Sequence, residues 1–108
     1  MTEDDQDAVF HALASQSRRR MLDLIKAAPG CAVSDVVRHF DVSRVAVMKH
    51  LAVLEAANLI VSKKCGRVRQ LHINAVPIQM IHERWTTEFS AHWAGRLTGL
   101  KYRMESRK

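Results

Sequence analysis

A chain of 108 residues is long enough for one domain and too short for two with separate cores. With 47% hydrophobic and 26% charged residues it has an ordinary globular balance, which excludes wholesale disorder. No apolar run nears the ~20 residues that span a bilayer, the acidic start is unlike a signal peptide, and Cys31 and Cys65 are too few to staple a secreted scaffold.

These exclusions lead to the expectation of a soluble cytoplasmic protein with reduced thiols and no membrane partner. The formal charge is +6 and is unevenly placed: Glu3, Asp4, Asp5 and Asp7 put four of the eleven acids in the first seven residues. The rest of the chain then holds 17 bases against 7 acids. A basic body suits a polyanionic partner, nucleic acid before membrane, and a solvated basic surface fits the charge equally well.

There are no repeats and no low-complexity tract. Residues 1–6 read as a flexible acidic end, and 7–108 as a single domain. Asp7 can cap a first short helix with Val9, Phe10 and Leu13 as its apolar stripe. Ser17 is placed to cap a second helix through Met21, Leu22 and Ile25, which Pro29-Gly30 stops. Ser34 can cap a short third helix with Val36, Val37 and Phe40 on its core side. The turn "FDVS" is tight enough to favour a residue with positive φ, and Asp41 is the tolerated type there. Ser43 caps a fourth helix that runs to about Ala57 and ends at Asn58.

After it the period changes to two. Leu59 to Ile73 reads as a β-hairpin with Cys65-Gly66-Arg67 as the turn, Gly66 taking positive φ. Asn74 and Pro77 begin a last helix, over about 75–104. Its apolar positions Ile78, Ile81, Trp85, Phe89, Trp93, Leu97, Leu100 and Met104 are spaced by three and four. The order is α-α-α-α-β-β-α: mainly α with a small β-hairpin, a winged helix-turn-helix.

The fourth helix buries Val47, Leu51 and Leu54, so its other face projects Val45, Met48, Lys49 and Ala52. Small apolar groups and one lysine suit a B-DNA major groove, where thymine methyls accept apolar contact and Lys49 can reach guanine or phosphate. Arg44 has the reach for a guanine or the flanking backbone, and Ser43 with the helix N-terminus can hold a phosphate. Lys63, Lys64, Arg67 and Arg69 crowd the hairpin with no acid among them, fit to grip the backbone or enter the minor groove. Each alone reads as a solvated charge; four on one wing beside a helix-turn-helix read as nucleic-acid contact. Arg18, Arg19 and Arg20 either touch phosphate or form the wet side of the second helix.

Eight large apolar side chains on the last helix exceed what so small a body covers, and burying each is worth roughly 1.5–3 kcal/mol. A two-fold homodimer is expected, through Ile81, Trp85, Phe89, Trp93, Leu97 and Leu100, with Phe10 and Leu13 alongside. Trp85, Phe89 and Trp93 could instead line a ligand pocket between subunits; interface core is the favoured reading.

"LASQSRRRMLDLI" and "VSRVAVMKHLAVLEAANLI" resemble the ArsR/SmtB-type winged-helix repressors. The similarity covers residues 8 to about 73 closely and the last helix by pattern. Met48 stands where that family usually has Ser, and Asn58 where it usually has Gly. The resemblance implies a homodimeric transcriptional repressor on a palindromic operator of double-stranded DNA, with room for a small-molecule inducer.

His50 matches the family's His of His-Leu, at the edge of the core, where packing or a phosphate hydrogen bond is expected before base reading. The family's metal-sensing motif of two thiols and an Asp is not matched. Aligned through Asp35, Ala32 and Ser34 stand where thiols would be, and Cys31 is one position off. His82 and His92 lie about 15 Å apart along a helix and cannot chelate one ion within a chain. Cys65 on the wing does not fit a two-cysteine sensor. No metal or cofactor is expected, and no nucleophile–base pair or phosphate loop points to an enzyme. The alternative function is a winged-helix protein-interaction module that leaves the wing idle.

Overall fold

The computed structural model describes residues 1–86. Within them, five helices and a small antiparallel sheet follow in the order α1 (Glu3–Leu13), α2 (Gln16–Ala27), β1 (Cys31–Ala32), α3 (Val33–Val37), α4 (Arg44–Ala56), β2 (Ile60–Cys65), β3 (Val68–Ile73) and α5 (Val76–Thr86). The winged helix-turn-helix expected from the sequence is present. Phe89, Trp93, Leu97, Leu100, Met104 and His92 lie outside the described residues.

Helix starts depart from the sequence reading in three places. The acidic segment expected to be loose forms the first turn of α1. Thr2, not Asp7, is the cap: its hydroxyl accepts from Asp5 N–H at 3.0 Å, and the Asp5 carboxylate accepts from Thr2 N–H at 2.8 Å. Those two bonds satisfy donors that would otherwise be orphaned, and the acids sit at the positive end of the helix. Ser15 rather than Ser17 caps α2, since its backbone is extended and its Oγ accepts from Arg18 N–H. In α3, Ser34 lies inside the helix. The Asp35 carboxylate instead reaches back to Ala32 N–H at 2.9 Å.

The connection between α3 and α4 also differs. Helix α3 ends at Val37, so the chain has Arg38 to Ser43 in which to turn. With that length no left-handed residue is required, and Asp41 does not take positive φ; among the described non-glycine residues Asn58 alone does, at 61°. Asn58 closes α4 in a Schellman motif. Its N–H bonds Glu55 C=O at 2.9 Å, and Leu59 N–H bonds Leu54 C=O at 3.0 Å. The accompanying apolar contact positions, Leu54 and Leu59, are both buried. One asparagine thus turns the chain from helix into hairpin.

The hairpin turn is Gly66-Arg67, one residue shorter than expected, because Cys65 belongs to β2. Cys65 pairs with Val68, and Gly66 has φ of 64° at the first central position, which a type II′ turn demands. Strand β1, absent from the sequence reading, pairs antiparallel with β3 (Cys31 with Leu71, Ala32 with Gln70), giving the order β1-β3-β2. A two-residue strand is too short to show a period.

The core joins Val9 and Ala12 of α1, Met21 and Ile25 of α2, Val33 and Val36 of α3, Val47, Leu51 and Leu54 of α4, and Leu59, Ile60 and Leu71 at the base of the wing. No polar or charged side chain is buried among the described residues. None of the described helices is long and apolar enough to cross a membrane.

Candidate nucleic-acid interface

Helix α4 holds the projecting face that the sequence indicated. Ser43 Oγ accepts from Ala46 N–H at 3.1 Å and so fixes the helix start. Val47, Leu51 and Leu54 are sealed in the core, which turns the opposite face outward. Val45 is 63% exposed and Met48 41%, and Arg44, Lys49 and Ala52 are exposed with them. Val42, 51% exposed in the turn before the helix, extends this apolar strip. The sequence reading missed it, although a valine between Asp41 and Ser43 is itself an anomaly in a polar turn.

The wing stands beside this face. Ile60 and Leu71 root it in the core, while Lys63, Lys64, Cys65, Gly66, Arg67, Val68 and Arg69 are all exposed. Lys64 and Arg69 are directly opposed across the two strands. Like charges so placed repel, and the wing is not as free of acid as the sequence implied. Glu55 of α4 reaches Arg69, Oε2 to Nη2 at 3.2 Å.

The arginines divide by use. Eight fall among the described residues: 18, 19, 20, 38, 44, 67, 69 and 84. Arg18 donates to Ala12 C=O at 2.8 Å and His11 C=O at 2.9 Å, and Arg19 to Leu13 C=O at 2.6 Å, so both close the carbonyl end of α1. Arg20 lies over the Phe40 ring, 5.0 Å from its centroid. Arg38 pairs with Asp35, Arg69 with Glu55, and Arg84 with Glu3 at 3.0 Å. Arg44 and Arg67 alone are without an internal partner among these eight. One opens α4 and the other sits at the wing turn. Lys49, Lys63 and Lys64 share that condition, one on α4 and two on the wing. The phosphate role weighed for Arg18 and Arg19 gives way to helix capping.

His50 is half-buried, with Nδ1 3.3 Å from Arg18 Nη1. A guanidinium only donates, so Nδ1 is the acceptor and the ring proton sits on Nε2. This histidine ties α4 to the α1–α2 corner. Asp35 is engaged elsewhere, while Cys31 and Cys65 are free thiols. Ala32 N–H, with Arg38 beside it, holds the Asp35 carboxyl below the usual carboxylate range. Burial, with the Asp35 charge adding, pushes the Cys31 thiol up, which disfavours a thiolate ligand. Among the described residues no group of three or more His, Cys, Asp or Glu is placed to hold a metal ion.

Known proteins decide what carries this geometry. Residues 13–63 match a family described as a helix-turn-helix domain. The HTH-type transcriptional regulator YuzN of Bacillus subtilis is 33% identical over 87 residues, covering 75% of this chain and 95% of that protein. A solved ArsR family transcriptional regulator, RHA00566, superposes with a TM-score of 0.71 at 31% identity, over 87% of this chain and 95% of that one. The chain belongs to the ArsR family of helix-turn-helix transcriptional regulators. An ArsR-like regulator from Rhodococcus sp. RHA1 agrees, with a TM-score of 0.68 at 28% identity over 92% of each chain. The transcriptional repressor SdpR of Bacillus subtilis is 31% identical over 71 residues, 66% of this chain and 78% of its own length. As an ArsR-family member the chain is a DNA-binding transcriptional regulator and not an enzyme.

Proposed function

We propose that this ArsR-family regulator is a cytoplasmic homodimeric repressor of a palindromic operator. Its α4 reads the major groove, and its wing grips the adjacent backbone or minor groove. The observation that carries the reading is the pair of arginines the fold leaves unengaged, Arg44 at the start of α4 beside the exposed Val45–Met48 strip and Arg67 at the turn of the wing. Free cations on the helix and on the wing together with an exposed apolar ridge match a duplex, with phosphate on the walls and thymine methyls on the floor. Val45, Met48 and Ala52 take the methyls, Lys49 and Arg44 take guanine or phosphate, and Lys63, Lys64 and Arg67 take phosphate. Ser43 and His50, which cap and tether the helix, keep it at the right depth.

Repression follows the SdpR likeness, and the dimer follows the surface of α1 and α5. Phe10 is 47% exposed and Trp85 58%, with Ile78 and Met80 exposed alongside, while Leu13 and Ile81 pack partly on the core. A second copy on this face gives each aromatic a dry partner and sets two reading helices on one side of the duplex.

The test is selection of bound sequences from random duplex DNA, followed by binding to the selected site at several salt concentrations. The expected result is a palindromic consensus. Affinity should fall steeply with salt, about 0.9 log units per decade for each neutralised phosphate. Absence of salt-sensitive binding to any duplex overturns the reading. A compound screen on the same complex then looks for an inducer.

A further inference from the structure

Three polar side chains close a ring between the reading helix and the wing. Arg69 Nη2 of β3 donates to Ser62 Oγ of β2 at 2.6 Å and to Glu55 Oε2 of α4 at 3.2 Å. Ser62 Oγ in turn donates to Glu55 Oε1 at 3.1 Å. Arg69 also lines a crevice of about 120 Å³ between α4 and the sheet, together with Met48, Ala52 and Glu55. The hairpin has left the core by this point: Ile60 and Leu71 are buried, and all residues from Lys63 to Arg69 are exposed. Among the described residues, no other side-chain hydrogen bond joins the wing beyond Ser62 to the body. Strand β1 pairs with β3 only as far as Gln70, so from Arg69 outward the wing is a two-stranded ribbon, and its angle to α4 is not set by backbone pairing alone.

We infer that Arg69, although one of four bases on the wing, is a positioning residue. Held by Glu55 and Ser62, it sets the angle between the wing and α4, and with it the distance along the duplex between the base contacts and the wing's phosphate contacts. This role rests on the DNA-binding reading for its consequence but not for its geometry. The ring also shields Lys64 from Arg69, because Glu55 neutralises the cation directly across the strand from it. Lys64 is left as the outward cation of the pair.

Simple electrostatics points the other way. If Arg69 grips phosphate, Glu55 is a repulsive charge, and Glu55→Gln tightens binding. If Arg69 positions the wing, Glu55→Gln weakens binding although it removes a negative charge near DNA. The loss should be up to roughly 5-fold per wing, as a partly exposed ion pair allows.

The test measures operator affinity against salt for the wild type, Glu55→Gln, Arg69→Gln and the double exchange Glu55→Arg with Arg69→Glu. Alongside, spin-label distances between Cys65 and an introduced Val42→Cys are read in a Cys31→Ala background without DNA, and thermal melts confirm folding. Expected are weaker binding and a broadened distance distribution for both single variants. Their salt slope should be unchanged, and the double exchange, which keeps the total charge, should recover affinity and distance. Tighter binding by Glu55→Gln, a slope about 0.9 shallower for Arg69→Gln, or an unbroadened distribution overturns the inference. A wild type that binds no duplex removes the DNA reading, and the spin-label distances still decide whether the ring holds the wing.

Discussion

Two regions of this molecule expose apolar side chains to a similar degree and are surrounded by opposite chemistry. On the side of α4 and the wing, Val42, Val45 and Met48 are exposed, and Arg44 and Lys49 of α4 and Lys63, Lys64 and Arg67 of the wing are exposed and not engaged by the fold. On the α1–α5 side, exposed Phe10 and Trp85 share their surface with an arginine that the fold already engages. Arg84 pairs with Glu3, donates to Gln6 Oε1 at 2.5 Å and stacks on Trp85 at 4.9 Å. Hydrophobic exposure alone does not name a partner. Unpaired cations around an apolar ridge call for a polyanion, whereas a neutralised rim calls for another protein surface.

The sharpest way to break this comparison is on the neutralised side. Phe10→Glu with Trp85→Glu should convert the dimer to single subunits in sedimentation equilibrium. Each missing aromatic anchor costs about 2 kcal/mol or more and recurs in the second copy, so operator affinity should fall more than about 100-fold. A variant that remains dimeric places the interface elsewhere.

Next in size is the cationic side. Lys63→Ala, Lys64→Ala and Arg67→Ala together should flatten the salt slope by about 0.9 for each phosphate no longer neutralised and leave the melting temperature in place. Unaltered DNA binding with an unchanged slope would show that the wing is idle and that phosphate is met elsewhere on the surface.

Met48→Ser probes the ridge between the cations. Selection should show a changed base preference at one position per half-site, about 1–3 kcal/mol in discrimination, with little effect on stability because the side chain is half in solvent. An identical consensus removes Met48 from the reading set.

The smallest effect lies outside both surfaces, at the carboxylates that start α1 and α3. Hydrogen bonds from Thr2 hold Asp5 below its ordinary pKa, and the bond from Ala32 N–H does so for Asp35. A lowered folded-state pKa stabilises above the unfolded value, and that stability disappears as pH falls through the folded value. Thermal melts of the wild type and Asp35→Ala should therefore differ by a constant amount down to about pH 4 and converge below it. A difference that persists unchanged at about pH 2.5, well below the ordinary carboxylate range, would show that the charge of Asp35 is not what holds the cap.

What the sequence made legible was whatever a single residue decides locally. Ser43 had no rival as the cap of α4, Gly66 none in the hairpin turn, and the spacing of Val47, Leu51 and Leu54 admitted one buried face. Where a neighbouring residue of the same type is present, residue type alone does not place the cap. Ser15 and Ser17 are equally good caps as residues, and the extended backbone at Ser15 selects between them. Asp7 and Ser34 are the right residue types for caps, but a cap is defined by which N–H it meets, and Thr2 and Asp35 meet them. The pairing of Glu55 with Arg69 spans fourteen residues and two kinds of element, so no periodicity carries it. The partners of Arg18 and Arg19 were equally hidden. A run of three arginines reads as charge, while its use as a clamp on the preceding helix depends on how α1 and α2 meet.

That clamp has a consequence for anyone who would redesign the DNA specificity of this molecule. Arg18 fastens the last carbonyls of α1 with two nitrogens and extends the third to His50. A reading helix transplanted from another regulator would need a lone pair at position 50, or one guanidinium hydrogen goes unclaimed at a half-buried seam. Lysine could not stand in for Arg18, because a single ammonium cannot span two carbonyls and an imidazole in the planar fork that three helices share.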